Sequence, residues 1–207
     1  MSGVDWLADT RTSYDTVASS YADYTRDLLA ELPHMRAALG LFAAEVSGPV
    51  ADVGCGPGAV TAHLHDLGAD VSGIDLSPEM IALARRTYPG LRFEVGSMTD
   101  PLPGPVGGVI AWWSLIHVPD AVVPEVFAHF RSALLPDGLL ALGFHVGNRT
   151  NRKTQGYGGH PMRVDVHLRQ PATVAAWLRE AGFRIEAQWV LEPDAEVPAG
   201  ILFARRG

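Results

Sequence analysis

Short β-branched runs and segments with apolar residues at helical spacing follow one another along the chain. Residues 1–11 carry no pattern. From Thr12, which forms an expected capping pair with Asp15, the residues Tyr14, Val17, Tyr21, Tyr24 and Leu28 recur on one helical face. A second helix is expected over 35–45, between Pro33 and the Ser47-Gly48-Pro49 break. The alternation then becomes regular: strand at 50–53, helix 59–67 ended by Gly68, strand 70–74, and a helix capped by Ser77 with Pro78 in its first turn, running to about Thr87. A third strand is expected over 91–95. The nearly continuous apolar run 108–118 reads as one strand buried in the middle of a parallel sheet. Asp120 is expected to cap a helix with Val123, Val126, Phe127, Phe130 and Leu134 on one face, stopped by Pro136-Asp-Gly138 before a strand over 139–144. Residues 147–160, rich in Gly, Asn, Arg and Thr without apolar period, read as a mobile loop. A last helix opens at Pro171 and closes at Gly182, followed by strands over 183–190 and 199–205.

Chemistry concentrates where the first apolar run breaks, in Val50-Ala-Asp-Val-Gly-Cys-Gly-Pro-Gly58. Glycines at alternate positions let a ligand approach the main chain, and the start of a helix offers unpaired N–H groups to a carboxylate or phosphate. The spacing is Gly-x-Gly-x-Gly with Asp52 two residues ahead, not the Gly-x-Gly-x-x-Gly of dinucleotide sites. A carboxylate there repels a pyrophosphate and accepts from an amine. Val71-Ser-Gly-Ile-Asp75 is a second strand ending in an acid about 20 residues on, the place of a ribose diol. The combination points to an adenosine-type ligand with a cationic, phosphate-free tail.

Composition narrows the partners. At 207 residues with 47% hydrophobic and 19% charged, the chain is expected to form a single domain. A formal charge of −7 without a long Lys/Arg run argues against nucleic acid and favours a small-molecule substrate. No stretch reaches about 18 uninterrupted apolar residues, and Asp5 and Asp9 stand where a secretory signal is basic and then apolar. A soluble cytoplasmic protein without membrane partners, monomer or homodimer, is expected. The single Cys55 excludes an internal disulfide framework and reads first as a small apolar filler.

The chain resembles the class I S-adenosylmethionine-dependent methyltransferases of small-molecule type through three ordered motifs: Asp52-Val-Gly-Cys-Gly-Pro-Gly58, Gly73-Ile-Asp-Leu-Ser-Pro-Glu-Met80 and Leu134-Leu-Pro-Asp-Gly-Leu-Leu140. The resemblance implies a three-layer α/β/α sandwich on a Rossmann-like, seven-stranded, mostly parallel sheet with an antiparallel last strand. It implies an N-terminal helical cover over 1–48, a cofactor-binding half over 49–146, and a substrate loop with C-terminal helix and hairpin over 147–207. S-adenosyl-L-methionine is the implied cofactor. Asp52 attracts its amino group, the backbone of Gly54, Cys55 and Gly56 holds its carboxylate end, and Asp75 fixes the ribose. Leu76 and Met80 flank the adenine, while Tyr14 and Tyr21 help close the site. Ser97 stands where the family commonly has an acid for the adenine amino group, leaving Met98 to act through its backbone.

The expected substrate side is less specific. Trp112, Trp113, Ser114 and His117 should line the boundary between cofactor and substrate at the end of the fourth strand. His117 and His145, at neighbouring strand ends, are the candidate bases. Tyr157, His160 and Arg163 are the candidate lid residues, and aromatic residues at several of these places point to a flat or apolar acceptor. The histidines, His167 among them, share no short helical ligand spacing, so no metal is expected. Three rival readings compete with methyl transfer. A protein of this fold that binds the cofactor without transfer shares all its binding motifs. The glycine spacing disfavours a nicotinamide enzyme. The acidic balance, and Trp112-Trp-Ser-Leu115 in place of an Asn-Pro-Pro-Tyr-like sequence, disfavour a nucleic-acid methyltransferase.

Overall fold

A computed structural model describes residues 5–207; the first four residues of the expected N-terminal cover lie outside them. Helix α1 (Trp6–Thr25) starts six residues earlier than the periodicity predicts, because the Asp5 carboxylate caps it by accepting from Ala8 N–H. Thr12 and Asp15 are therefore interior, and Asp15 reaches across to Ser77 and Glu79 instead of capping. A short α2 (Leu28–Glu31) precedes α3 (Pro33–Glu45).

The regular alternation follows: β1 (Val50–Val53), α4 (Ala59–Asp66), β2 (Val71–Asp75), α5 (Pro78–Thr87), β3 (Arg92–Val95), β4 (Val106–Trp112), α6 (Val123–Ala133) and β5 (Leu134–His145). Strands β6 (Thr150–Gln155) and β7 (Pro161–His167) form a separate antiparallel hairpin, and α7 (Pro171–Glu180), β8 (Phe183–Leu191) and β9 (Ala199–Arg206) complete the chain. The main sheet has the order β3-β2-β1-β4-β5-β9-β8, parallel through β5, with β9 antiparallel between β5 and β8. This is the Rossmann-like, seven-stranded, mostly parallel arrangement with an antiparallel last strand that the motifs lead one to expect.

Alternating side chains of the central strands feed two core layers. Val109, Ala111, Leu140, Leu142, Phe144, Leu202 and Ala204 pack with α6 and α7 through Phe127, Phe130, Val174 and Leu178. Ile110, Leu139, Ala141, Ile201 and Phe203 face the other way, toward Leu39 and Phe42 of α3 and Leu64 of α4. Such two-sided burial explains why these strands read as unbroken apolar runs. Strand order reverses between β1 and β4, which opens a crevice at their carboxyl ends.

Three expectations need correction. The 108–118 run is not one strand: β4 ends at Trp112, Trp113 takes φ 54°, and a 3₁₀ turn covers Leu115–His117. Asp120 does not cap α6, which begins behind Val122 with Pro124 in its first turn; Asp120 pairs with Arg169 instead. Residues 147–160 are not a structureless loop. They carry β6, whose pairing with β7 buries Met162 and Val164 against Val17 of α1, and β6 is so polar because it is largely solvent-facing. No helix among the described residues is long and apolar enough to cross a membrane.

Candidate functional site

The glycine turn follows β1 directly. Gly54 has φ 79°, and a Cβ there would lie 2.1 Å from the Cβ of Ser114, so glycine is required both for conformation and for close approach of the turn after β4. Ser114 Oγ donates to the Val53 carbonyl (2.6 Å), and the N–H groups of Gly54 and Cys55 both donate to the Ile74 carbonyl (2.7 and 3.1 Å). Asp75 completes the tie: its two oxygens accept from Gly56 N–H and Ser77 N–H, each at 2.8 Å. Three strand ends are thus joined by short local bonds.

Two carboxylates with no cationic partner among the described residues sit on this frame. Asp52 is 1% exposed; Thr61 Oγ1 donates to its Oδ2 (2.6 Å), and its Oδ1 has no partner among the described residues. Burial raises its pKa to about 7, against the Thr61 hydrogen bond and with the help of the Asp75 charge. Asp75 keeps an edge on the cleft and is raised less, to about 6, chiefly by burial, with the Ser77 and Gly56 N–H bonds opposing. A buried acceptor without a donor is costly, so this pair is suited to a ligand bringing N–H⁺ or O–H groups.

Helix α1 roofs the turn. Tyr14 Oη lies 2.7 Å from His117 Nε2, and His117 Nδ1 lies 2.8 Å from the Asp165 carbonyl. A carbonyl only accepts, so Nδ1 carries the imidazole proton and Nε2 accepts from the Tyr14 hydroxyl. Burial lowers the His117 pKa to about 4, which keeps the ring neutral, and the same burial raises that of Tyr14. Tyr21 stacks edge-on with Tyr14 and with Tyr157 of the β6–β7 connection (centroids 5.8 and 4.7 Å). Asp15 accepts from Ser77 Oγ and Glu79 N–H, Ser13 Oγ accepts from Arg163 N–H (2.8 Å), and Asp9 pairs with Arg163 (3.2 Å).

Beneath this roof lie two adjoining cavities that share Tyr14, Tyr21, Gly54, Gly56, Trp112 and Trp113. The first, about 90 Å³, also meets Asp75, Leu76, Met80, Ser97, Met98 and His117. It is smaller than the roughly 300–1,000 Å³ usual for ligand sites, and Thr10, Tyr14 and Tyr21 of α1 border it. The second, about 380 Å³, meets Asp52, Cys55, His145, Tyr157 and Glu192. Between them the left-handed Trp113 lays its indole across β5, where a Cβ on Gly143 would lie 2.4 Å from the ring. Trp113 Nε1–H donates to His145 Nδ1 (3.3 Å); because Nδ1 accepts, the neutral imidazole carries its proton on Nε2. Burial, then the Lys153 charge, lowers the His145 pKa.

Most of the predicted site residues therefore border one or both cavities, with three exceptions in position or chemistry. His160 and Arg163 border neither, and Arg163 is bound to Asp9 and Ser13 of α1. Ser97 Oγ is already engaged with Thr99 Oγ1 (2.7 Å) and Thr99 N–H (3.1 Å). Sequence reasoning did not find Thr10 and Arg11 of α1, which had no assigned periodicity, nor Arg169. Arg169, 4% exposed, donates to the Leu115 and Val118 carbonyls and to Asp120, and so holds the turn that carries His117. Nothing near it in sequence signals that role.

Comparison with known proteins adds a sequence match and a shared fold. Residues 50–138 match the model of a methyltransferase domain. A trans-aconitate 2-methyltransferase of Escherichia coli is 43% identical over 96 residues, 45% of this chain; the chain spans only 37% of that relative. Among solved structures, magnesium protoporphyrin IX methyltransferase from Synechocystis PCC 6803, with bound S-adenosylmethionine, superposes with TM-score 0.78 over the full length of both chains at 18% identity. The 1,6-didemethyltoxoflavin-N1-methyltransferase of Burkholderia thailandensis superposes at TM-score 0.72 and 25% identity, covering 98% of this chain and 89% of the other.

Proposed function

We propose that the class I methyltransferase domain carried by this chain transfers the methyl group of S-adenosylmethionine to a small-molecule acceptor. The observation that carries the reading is the pair of buried carboxylates, Asp52 with a free Oδ1 and Asp75 with both oxygens at the cleft floor, on either side of a glycine turn. These residues suit the cofactor: Asp52 Oδ1 accepts from the methionine ammonium, and Asp75 has lone pairs left for ribose hydroxyls. Leu76, Met80 and Met98 give the adenine an apolar bed. Ser97, committed to Thr99, leaves the adenine amino group to the backbone.

Bound S-adenosylmethionine supplies an electrophilic methyl carbon on a positively charged sulfur. The chain's own residues place an acceptor, exclude water and leave room for in-line approach where the two cavities meet. Positioning of this kind is worth as much as about 7–11 kcal/mol. The rings of Tyr14, Tyr21 and Trp113 border that junction, and their faces favour positive charge. His117 Nε2 is occupied by the Tyr14 hydroxyl and His145 presents N–H, so in this reading neither imidazole is the base. His117 positions Tyr14. Cofactor enters when the α1 contacts at Asp15, Ser13 and Asp9 open.

The acceptor named for the Escherichia coli relative, trans-aconitate, is a tricarboxylate, and no Arg or Lys is among the described residues bordering the second cavity. We therefore do not carry it over. Calorimetric titration with S-adenosylmethionine, S-adenosylhomocysteine and NAD, followed by a screen for S-adenosylhomocysteine released on turnover, tests the proposal. The two sulfur compounds should bind and NAD should not. NAD binding alone, or cofactor binding with no product from any acceptor, would overturn it.

A further inference from the structure

We infer that the second cavity receives a flat, uncharged or cationic aromatic ring carrying one hydrogen-bond acceptor atom, seated against Trp112 and Trp113 and oriented by the Nε2–H of His145. The inference rests on the methyltransferase reading and specifies its acceptor.

Shape comes first. The cavity's volume of about 380 Å³ is at the small end for small-molecule sites. Two aromatic pairs border it: Trp112 and Trp113 meet edge to face (5.1 Å) at the end of β4, and Tyr21 and Tyr157 meet similarly (4.7 Å) between α1 and the β6–β7 connection. A ring gains stacking and edge contacts there that an extended aliphatic chain does not.

Charge comes second. The ionisable side chains bordering the cavity are Asp52, Cys55, Glu192, His145 and the tyrosines Tyr14, Tyr21, Tyr24 and Tyr157, with no Arg or Lys among the described residues. Lys153 stands over the Tyr157 ring, 3.9 Å from its centroid, and does not border the cavity. With the Asp52 carboxylate taken by the cofactor ammonium, an anion would still be desolvated against Glu192 and the negative faces of several rings, whereas a cation would meet favourable faces.

Orientation comes third. Because the Trp113 indole N–H occupies His145 Nδ1, the remaining ring nitrogen is a donor, and His145 borders the cavity, so a ligand acceptor there can take that N–H in place of solvent.

The test uses full-length protein saturated with S-adenosylhomocysteine, whose binding is measured first by calorimetry without any ring compound. Isoquinoline, naphthalene, quinaldate and citrate are then titrated with tryptophan fluorescence as readout. Isoquinoline, flat with a ring-nitrogen acceptor, should bind about tenfold tighter than naphthalene, which has none. Quinaldate should bind more weakly than isoquinoline and citrate not at all. His145→Ala should erase the preference for isoquinoline over naphthalene while both still bind, and His145→Gln, which keeps an N–H donor, should restore it. Glu192→Lys should shift preference toward quinaldate. Equal binding of isoquinoline and naphthalene, or preference for citrate or quinaldate, would overturn this inference while S-adenosylhomocysteine binding leaves the methyltransferase reading standing. Failure to bind S-adenosylhomocysteine would overturn both.

Discussion

The floor and the roof of this site are built by different means. The floor is three parallel strand ends: backbone N–H groups donating to Ile74 and Asp75 tie those of β1 and β2, and the Ser114 hydroxyl donating to the Val53 carbonyl ties that of β4, so its geometry is inherited from the sheet. The roof, α1 with the β6–β7 hairpin, is held by side chains from distant parts of the chain: Tyr14 on His117, Asp15 on Ser77, Asp9 on Arg163. A rigid floor with a detachable roof is what a site needs when one ligand must always sit in the same place and must still enter and leave. In our reading the cofactor roles belong to the floor and closure to the roof, with the acceptor wall of Trp113 and His145 at their boundary, and substitutions on the two sides should fail differently.

The largest effect belongs to the floor. Asp75→Ala removes a carboxylate that holds Gly56 and Ser77 and, in our reading, the ribose; calorimetry should show cofactor affinity falling at least about a hundredfold, the loss of two hydrogen bonds to a charged group. Unchanged affinity would remove Asp75 from the site.

Next comes the boundary. Gly143→Ala puts a methyl group into the Trp113 ring, and displacement of the indole should lower kcat/KM for the acceptor about ten- to a hundredfold while S-adenosylhomocysteine affinity changes little. An equal loss of both would mean that floor and acceptor wall are a single unit.

The pH dependence sharpens the comparison. Asp52, at about 7 in the fold against 3.8 unfolded, binds its proton more tightly when folded. Stability from this group is therefore full below about pH 4 and is lost as pH rises through 7. Asp75, raised to about 6, adds in the same direction. His117, lowered to about 4 from 6.5, acts oppositely: its contribution is present above 6.5 and lost as pH falls toward 4. Asp52→Asn should make the ligand-free protein several degrees more heat-stable at pH 8 by removing a buried charge. The same change should abolish the rise in S-adenosylmethionine affinity with pH, roughly tenfold per unit below 7 in the wild type. A variant less stable at pH 8, with the affinity rise intact, would contradict this account.

The smallest effect is on the roof. Asp9–Arg163 is an ion pair with a 61% exposed arginine, so Arg163→Ala should cost no more than about 1 kcal/mol in thermal unfolding. If α1 opening limits turnover, the same variant should raise the cofactor off-rate in stopped-flow measurements. A slower off-rate would argue against the latch.

The two halves also differ in how they were read. Floor residues lie within a few positions of Gly54 or Asp75, and their roles follow from short-range turn chemistry, so strand order and cofactor positions were legible. Trp113 was misread as strand because its left-handed backbone answers to a neighbour, Gly143, thirty residues away. The β6–β7 hairpin was missed because its solvent-facing strand has no apolar period, and Arg169 because its partners at Leu115, Val118 and Asp120 are about fifty residues distant.

By itself, then, the sequence determined the doubly wound sheet, the glycine turn and the two acids beside it, since burial pattern and turn chemistry act over a few residues. Only the tertiary structure decided that His117 is spent on Tyr14, that His145 offers a proton instead of taking one, and that six tyrosine and tryptophan rings border a cavity with no Arg or Lys at its edge among the described residues. The physical reason is that a hydrogen-bond role depends on which partner lies within 3 Å, and chain closure alone sets that distance.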